Sequence, residues 1–115
     1  MEGARDSGAM SVLNIKVEQP DKTLTILRLS GEFEGNAALE GKEALHKFLE
    51  SRSSGTLMLD LAGIEYIDSA ALGILLEMSK KAVGSKIDFG LLHVQDPVKK
   101  VLEVTKLDKV LKIFE

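Results

Sequence analysis

One stretch, residues 56–78, constrains the fold of this chain more than any other, because it joins a strand to an apolar helix through a short turn. Leucines alternate with other residue types over positions 57–61, a spacing of two that is typical of a β-strand. Gly63 interrupts that alternation. Asp68 and Ser69 then stand immediately before an apolar helical pattern, and both residue types favour the N-terminal cap of a helix. The stretch therefore predicts a strand, a turn and a helix that begins near Ser69.

Ser69 is the candidate functional residue of this stretch. Backbone N–H groups without partners and the positive end of the helix dipole favour an anion at a helix start, so a phosphate on Ser69 would be accommodated there. Phosphorylation would add roughly −1.5 to −2 charges at one exposed position. The competing interpretation is that Ser69 only caps the helix, as serines at helix starts commonly do. Asp68 can serve as that cap by itself, which leaves Ser69 available as a switch.

The helix that follows is apolar over more of its circumference than a surface helix requires. One strip has the spacing of a core-facing helix side and comprises Leu72, Leu75, Leu76, Ser79 and Val83. A second apolar strip beside it comprises Ala71, Ile74 and Met78. Two interpretations of the second strip stay open: a surface for a partner protein next to the serine, or a helix that is packed more deeply than usual.

The composition restricts the classes of function. With 115 residues the chain is long enough for one domain with a substantial core. Its formal net charge of −3 and its aromatic content of 4% argue against direct binding of nucleic acid. The absence of cysteine removes disulfides and thiolate metal sites and is compatible with a reducing compartment. No stretch approaches the ~20 apolar residues of a membrane-spanning helix, so we expect a cytoplasmic protein without membrane insertion.

Strand and helix patterns alternate along the chain in the order β-β-α-β-α-β-α-β. Residues 1–10 are small and polar, and we expect a disordered lead before a single domain over residues 11–115. Two strands separated by a predicted turn at residues 19–22 precede a helix for which Asn36 is the predicted cap. A short last strand is predicted over residues 109–114. The predicted fold class is α/β, with a mixed sheet whose parallel pairs are joined by right-handed crossovers.

The sequence contains few side chains of the types and spacings that catalysis or metal binding requires. His46 and His93 are the only histidines, and neither has a second metal ligand at a suitable spacing, so both are expected to be structural or solvated. Glu32, Glu34 and Asp68 could gather at the helix start and bind a divalent cation, but acids near loops are more often solvated. Nucleotide-binding glycine motifs and a nucleophile elbow are absent. We therefore expect no enzymatic activity, no cofactor and no metal site.

The central stretch resembles the signature of STAS domains, in particular the bacterial anti-sigma factor antagonists, also called anti-anti-sigma factors. The similarity is carried by residues 60–73, Asp-Leu-Ala-Gly-Ile-Glu-Tyr-Ile-Asp-Ser-Ala-Ala-Leu-Gly. Residues 29–34 are similar to the family's loop after the second strand, and residues 96–108 to its last helix and the turn beyond. The resemblance spans most of the chain and implies a STAS-like α/β fold with helices mainly on one face of the sheet.

The resemblance also implies a phosphorylation switch. In this family an anti-sigma factor with serine kinase activity phosphorylates the serine at the start of the central helix, the position of Ser69 here. The unphosphorylated antagonist binds the anti-sigma factor and frees the sigma factor; phosphorylation breaks the complex, and a phosphatase restores it. The residues expected to contact the partner are Glu32, Glu34, Asp68, Ala70, Ala71, Leu72, Ile74 and Met78.

The sequence departs from the family pattern at four positions and leaves a second function open. One of them is Gly41, which stands where an apolar helix residue is common. Ala70 and Ala71 stand where the family usually has Ser and Gly, and Glu34 stands where it has Asp. The alternative function is a STAS scaffold or accessory subunit, in a stress-signalling complex or a transporter, that binds a protein or a small ligand without switching. A Ser69→Asp variant distinguishes the two functions, because it should lose its partner only in a switched antagonist.

Overall fold

The computed structural model describes residues 12–52 and 54–114. Within these ranges, five strands and three α-helices follow in the predicted order: β1 (Leu13–Asp21), β2 (Leu24–Gly31), α1 (Gly35–Glu50), β3 (Thr56–Gly63), α2 (Ser69–Ser85), β4 (Asp88–Leu92), α3 (Asp96–Val104) and β5 (Lys112–Phe114). A short 3-10 helix, Leu107–Lys109, lies between α3 and β5. The predicted disordered lead, residues 1–10, falls outside the described residues.

The described strands form one sheet in the order β1-β2-β3-β4-β5. β1 pairs with β2 antiparallel, and every later pair of neighbours is parallel. Each parallel pair is connected through one helix, and right-handed crossovers that advance in one direction place all three helices on the same face of the sheet. The predicted fold class, a mixed α/β sheet with helices on one face, is confirmed.

Alternation of burial along β2 divides the sheet into a helix-covered face and an open face, whereas residues 57–61 of the central strand β3 are all buried. Leu27, Leu57 and Leu59 are fully buried beneath the helices. Ile26 and Arg28 point to the open face and are partly exposed. A period of two in burial is expected when only one face of a sheet packs against helices. This packing fixes the register of β2 against β3 and brings their carboxyl ends together at one edge.

Helix α2 packs on the sheet through a different side from the one that its spacing predicted. Ala71, Ile74 and Met78 are buried, with exposures of 0%, 2% and 0%, so their placement on a partner surface is wrong. Val83, which was predicted to face the core, is 77% exposed. The other interpretation of the second strip, a deeply packed helix, is confirmed. Because Leu75 belongs to the core in either orientation, the apolar pattern left the rotation of the helix about its axis undetermined.

Three local predictions also differ from the structure. Asn36 does not cap α1, because the helix begins two residues earlier than that cap predicts, at Gly35, whose N–H binds the carboxylate of Asp68. Residues 19–21, predicted as a turn, continue β1 through an irregularity in its pairing with β2. Residues 109–111, predicted as strand, belong to the 3-10 helix and the turn after it. In each case tertiary contacts override the local propensity of the sequence.

Candidate functional site

The candidate site lies where β2 and β3 end at the same edge of the sheet. The two strands continue into loops at residues 32–34 and 64–68, and a parallel bridge between Phe33 and Ile67 holds the loops side by side. Phe33 and Ile67 are buried in the core, so they anchor the loops while neighbouring residues reach solvent. Loops on a rigid sheet at the carboxyl ends of parallel strands are a common location for binding sites in α/β folds.

Asp68 joins the two helices that begin at this edge. Its Oδ1 atom accepts a hydrogen bond from the N–H of Ala71 at 3.1 Å, which is the N-terminal cap of α2. Its Oδ2 atom accepts a second hydrogen bond, at 2.8 Å, from the N–H of Gly35 at the start of α1. One carboxylate therefore satisfies an N–H group at the start of each helix, and the prediction that Asp68 caps α2 is confirmed.

Ser69 is the first residue of α2, and its side chain is exposed. Because Asp68 performs the capping, the Ser69 hydroxyl is not needed for it, and the described parts of the chain give that hydroxyl no hydrogen-bond partner. The N–H groups of Ser69 and Ala70 precede the first intrahelical hydrogen bond, which runs from Leu72 N–H to the Asp68 carbonyl at 3.0 Å. A phosphate on Ser69 would thus lie beside free donors at the positive end of the α2 dipole.

An acidic cleft of about 420 Å³ opens between the two loops, and it is lined by Gly31, Glu32, Glu34, Gly63, Glu65 and Tyr66. Its three glutamates form no salt bridge with any of the described residues. Tyr66 is 53% exposed, and exposed tyrosines are enriched among the residues that dominate binding energy at protein interfaces. The acidic cleft therefore presents uncompensated negative charge beside an aromatic ring, an arrangement that is complementary to a basic partner surface.

Glu65 and Tyr66 were not among the functional residues predicted from the sequence. They lie between Ile64 and Ile67, which are both 1% exposed and hold the loop in the core. This contrast is visible in the sequence as a polar and an aromatic residue between two isoleucines. That pattern could have predicted that the two isoleucines anchor the loop in the core while the two residues between them face solvent.

Asp60 fixes the end of β3 just before the site. Its carboxylate is 2% exposed, binds the Arg28 guanidinium, and accepts a hydrogen bond from the N–H of Ala62 at 2.9 Å. The ring nitrogen Nδ1 of His93 lies 3.0 Å from the same carboxylate, which gives His93 a structural role. Arg28 also pairs with Glu18 on β1, at 2.5 and 3.0 Å, and this hydrogen-bonded pair lowers the pKa of Glu18 and raises the pKa of Arg28.

The structure brings together only part of the predicted partner surface. The accessible members are Glu32, which is exposed, and Glu34, Asp68, Ala70 and Leu72, which are partly exposed; Ser69, the predicted phosphorylation site, is exposed beside them. The members that lie in the core are Ala71, Ile74 and Met78. Among the residues that the structure describes, no three His, Asp or Glu side chains are placed to hold a metal ion. No helix in the same ranges has the length and apolar character needed to span a membrane.

The sequence that builds this site also matches a known protein family. The model of the STAS domain family matches residues 14–115. The chain belongs to the STAS domain family. The matched span contains every strand and helix except the first residue of β1, together with both loops of the acidic cleft and the exposed serine at the start of α2.

Similar proteins include bacterial proteins named as anti-sigma factor antagonists. A Thermotoga maritima protein provisionally named an anti-sigma factor antagonist is 29% identical over 102 residues, which cover 89% of this chain and 82% of that protein. The anti-sigma F factor antagonist of Paenibacillus polymyxa is 23% identical over 104 residues, covering 90% of this chain and 89% of that protein.

The fold of this STAS domain is also similar to solved structures. The anti-sigma factor antagonist SpoIIAA in its unphosphorylated form gives a TM-score of 0.72 at 17% identity, with 89% of each chain covered. SpoIIAA from Bacillus in its phosphorylated form gives a TM-score of 0.67 at 16% identity, with 89% of this chain and 92% of that chain covered. The same fold therefore accommodates both states in that protein.

Proposed function

We propose that this STAS domain is a cytoplasmic anti-sigma factor antagonist that is switched by phosphorylation of Ser69. In its unphosphorylated form it binds an anti-sigma factor with serine kinase activity and thereby releases a sigma factor for transcription. Phosphorylation of Ser69 by that kinase breaks the complex, and a phosphatase restores it. The observation that carries the proposal is an exposed serine at the start of α2 whose capping role is already filled by Asp68.

The similar proteins support this proposal. Relatives that align with about nine-tenths of the chain are named antagonists of anti-sigma factors. SpoIIAA, which shares the fold, occurs in unphosphorylated and phosphorylated forms. Because both forms keep that fold, a phosphate on the corresponding edge of this domain is expected to act at the binding surface rather than by unfolding the domain.

The charges around the site explain how a phosphate would break the complex. The acidic cleft already carries Glu32, Glu34 and Glu65, which form no salt bridge with any of the described residues. A phosphate on Ser69 would add roughly −1.5 to −2 charges at the same edge. Burial of the neutral Ser69 hydroxyl in an interface costs little hydration free energy. Burial of a phosphate dianion without a matching cation costs several kcal/mol, which is enough to break a complex of moderate affinity. The proposed switch is therefore electrostatic and local.

The proposal is tested by the affinity of Ser69 variants for the purified ATP-binding anti-sigma factors encoded in the same genome. We expect Ser69→Ala to bind one of them as tightly as the wild type, and Ser69→Asp to bind it at least about tenfold more weakly because of like-charge repulsion. Ser85→Asp is the matched control, since it adds the same charge at the other, exposed end of α2 and should leave the affinity unchanged. A Ser69→Asp variant with wild-type affinity would contradict the switch and favour a non-switching scaffold.

A further inference from the structure

Helix α2 contains two exposed glycines, Gly73 and Gly84, that its packing does not require. Apart from the two chain neighbours and the backbone of α2 itself, no atom of the described residues lies within 4 Å of the position that a Cβ atom would take at either residue. Gly41 in helix α1 is different, because a Cβ there would lie 2.8 Å from the Leu13 Cδ2 atom. Glycine destabilises a helix interior relative to alanine, so Gly73 weakens α2 without a compensating contact inside the domain.

Gly73 lies one turn after Ser69 on the same exposed side of α2. Residues four apart are neighbours on a helix surface, and each Cα–Cβ bond leans toward the N-terminus of the helix. A side chain at position 73 would therefore cover the surface of the preceding turn, which is the surface that carries Ser69. Glu77, one turn further on, has a long side chain that pairs with Lys42 at 3.3 Å. Ser69 and Gly73 thus leave the two turns at the serine bare, and Glu77 covers the turn that follows.

We propose that Gly73 is a positioning residue for the reaction at Ser69: the missing side chain lets the main chain of the kinase partner approach the serine hydroxyl closely. This inference rests on the proposed function and adds the shape of the partner surface to it. Leu72 and Leu76 are partly exposed beside the bare backbone and offer apolar contact. The acidic cleft attracts basic side chains. The partner surface that fits is therefore a close-approaching main-chain segment with basic side chains next to it.

The test compares Gly73→Ala with Gly84→Ala, using as the probe the purified anti-sigma factor that phosphorylates the wild-type protein. Gly84 is a matched control because it is also a glycine without neighbours, on the same side of α2 and about 16 Å further along the axis. Both variants should fold, and Gly73→Ala should raise the melting temperature by about 4 °C. We expect Gly73→Ala to lower kcat/KM for phosphorylation of Ser69 at least about tenfold, Gly73→Gln to lower it further, and Gly84→Ala to leave it within about twofold of the wild type.

The possible outcomes separate this inference from the proposed function. If no ATP-binding anti-sigma factor from the genome binds or phosphorylates the wild type, the proposed function is contradicted and the role of Gly73 falls with it. If the wild type is phosphorylated and Gly73→Ala reacts at the same rate, only the role of Gly73 is overturned. A lower melting temperature for Gly73→Ala would assign this glycine a structural role. An equal loss of phosphorylation rate in Gly84→Ala would indicate a general effect on α2. Either result contradicts the inference.

Discussion

Removal of the Asp68 carboxylate should destabilise the fold by more than the loss of one ordinary helix cap. The two oxygens accept hydrogen bonds from Ala71 N–H at 3.1 Å and from Gly35 N–H at 2.8 Å, at the starts of two different helices. Loss of an N-terminal cap costs about 1 kcal/mol. Loss of a second, charge-assisted hydrogen bond to a backbone N–H costs about 1–1.5 kcal/mol. Asp68→Ala should therefore lower the free energy of unfolding by about 2–2.5 kcal/mol.

A graded variant separates the two contributions. Asp68→Asn keeps one side-chain oxygen for the cap of α2, but its NH₂ group cannot accept from Gly35, so the expected cost is about half that of Asp68→Ala, roughly 1 kcal/mol. Asn36→Ala is the control, because Asn36 is exposed and α1 has no side-chain cap. That change should stay within about 0.5 kcal/mol of the wild type.

Urea unfolding followed by circular dichroism measures these differences, and amide hydrogen exchange at Gly35 and Ala71 locates them. Asp68→Ala should accelerate exchange at both amides, whereas Asp68→Asn should accelerate it mainly at Gly35. The reasoning is refuted if Asp68→Ala is as stable as the Asn36→Ala control. It is also refuted if the Asn variant loses as much stability as the Ala variant, because the two hydrogen bonds would then not act separately.

Two further predictions concern the interior. Burial, and next the charge of Lys81, lower the pKa of His46 below its ordinary value of 6.5. As the pH drops, the unfolded chain therefore binds the His46 proton before the folded chain does, and the free energy of unfolding should fall below pH 6.5. A His46→Gln variant should weaken this pH dependence, which urea titrations at several pH values measure. An unchanged pH dependence in the variant would contradict the assignment to His46. Met78→Ala should cost about 2–5 kcal/mol and Val83→Ala at most about 0.5 kcal/mol; the reverse order in urea unfolding would show that the orientation of α2 is wrong.

The order of strands and helices could be predicted from the sequence because it depends on local patterns. The cap of α2 is also local, since Asp68 binds an N–H group only three residues away. The orientation of α2 could not be predicted in the same way, because adjoining apolar strips fit the core equally well by spacing. The small Ala71 and the flexible Met78 fill the contact with the sheet, and only the packed structure distinguishes them from the exposed Val83.

Part of the candidate site could be predicted from the sequence because it depends on residues that are adjacent in the chain. The exposed serine and its acidic cap are adjacent in the chain, so one motif revealed both. The start of α1 was not predictable, because the acceptor for Gly35 N–H comes from 33 residues away and displaced the expected cap at Asn36. The acidic cleft combines side chains from two loops that are distant in the sequence and are held together by the bridge between Phe33 and Ile67 and by the hydrogen bond from Gly35 N–H to Asp68.

The central claim is that phosphorylation of Ser69 releases a bound anti-sigma factor. The most direct measurement incubates the purified complex with ATP, follows the amount of complex by size-exclusion chromatography, and maps the phosphate by mass spectrometry of the intact protein and its peptides. The account predicts a gain of one phosphate on Ser69, dissociation in proportion to that gain, and neither change in Ser69→Ala. A phosphate at another residue, or a complex that survives complete phosphorylation of Ser69, would contradict it.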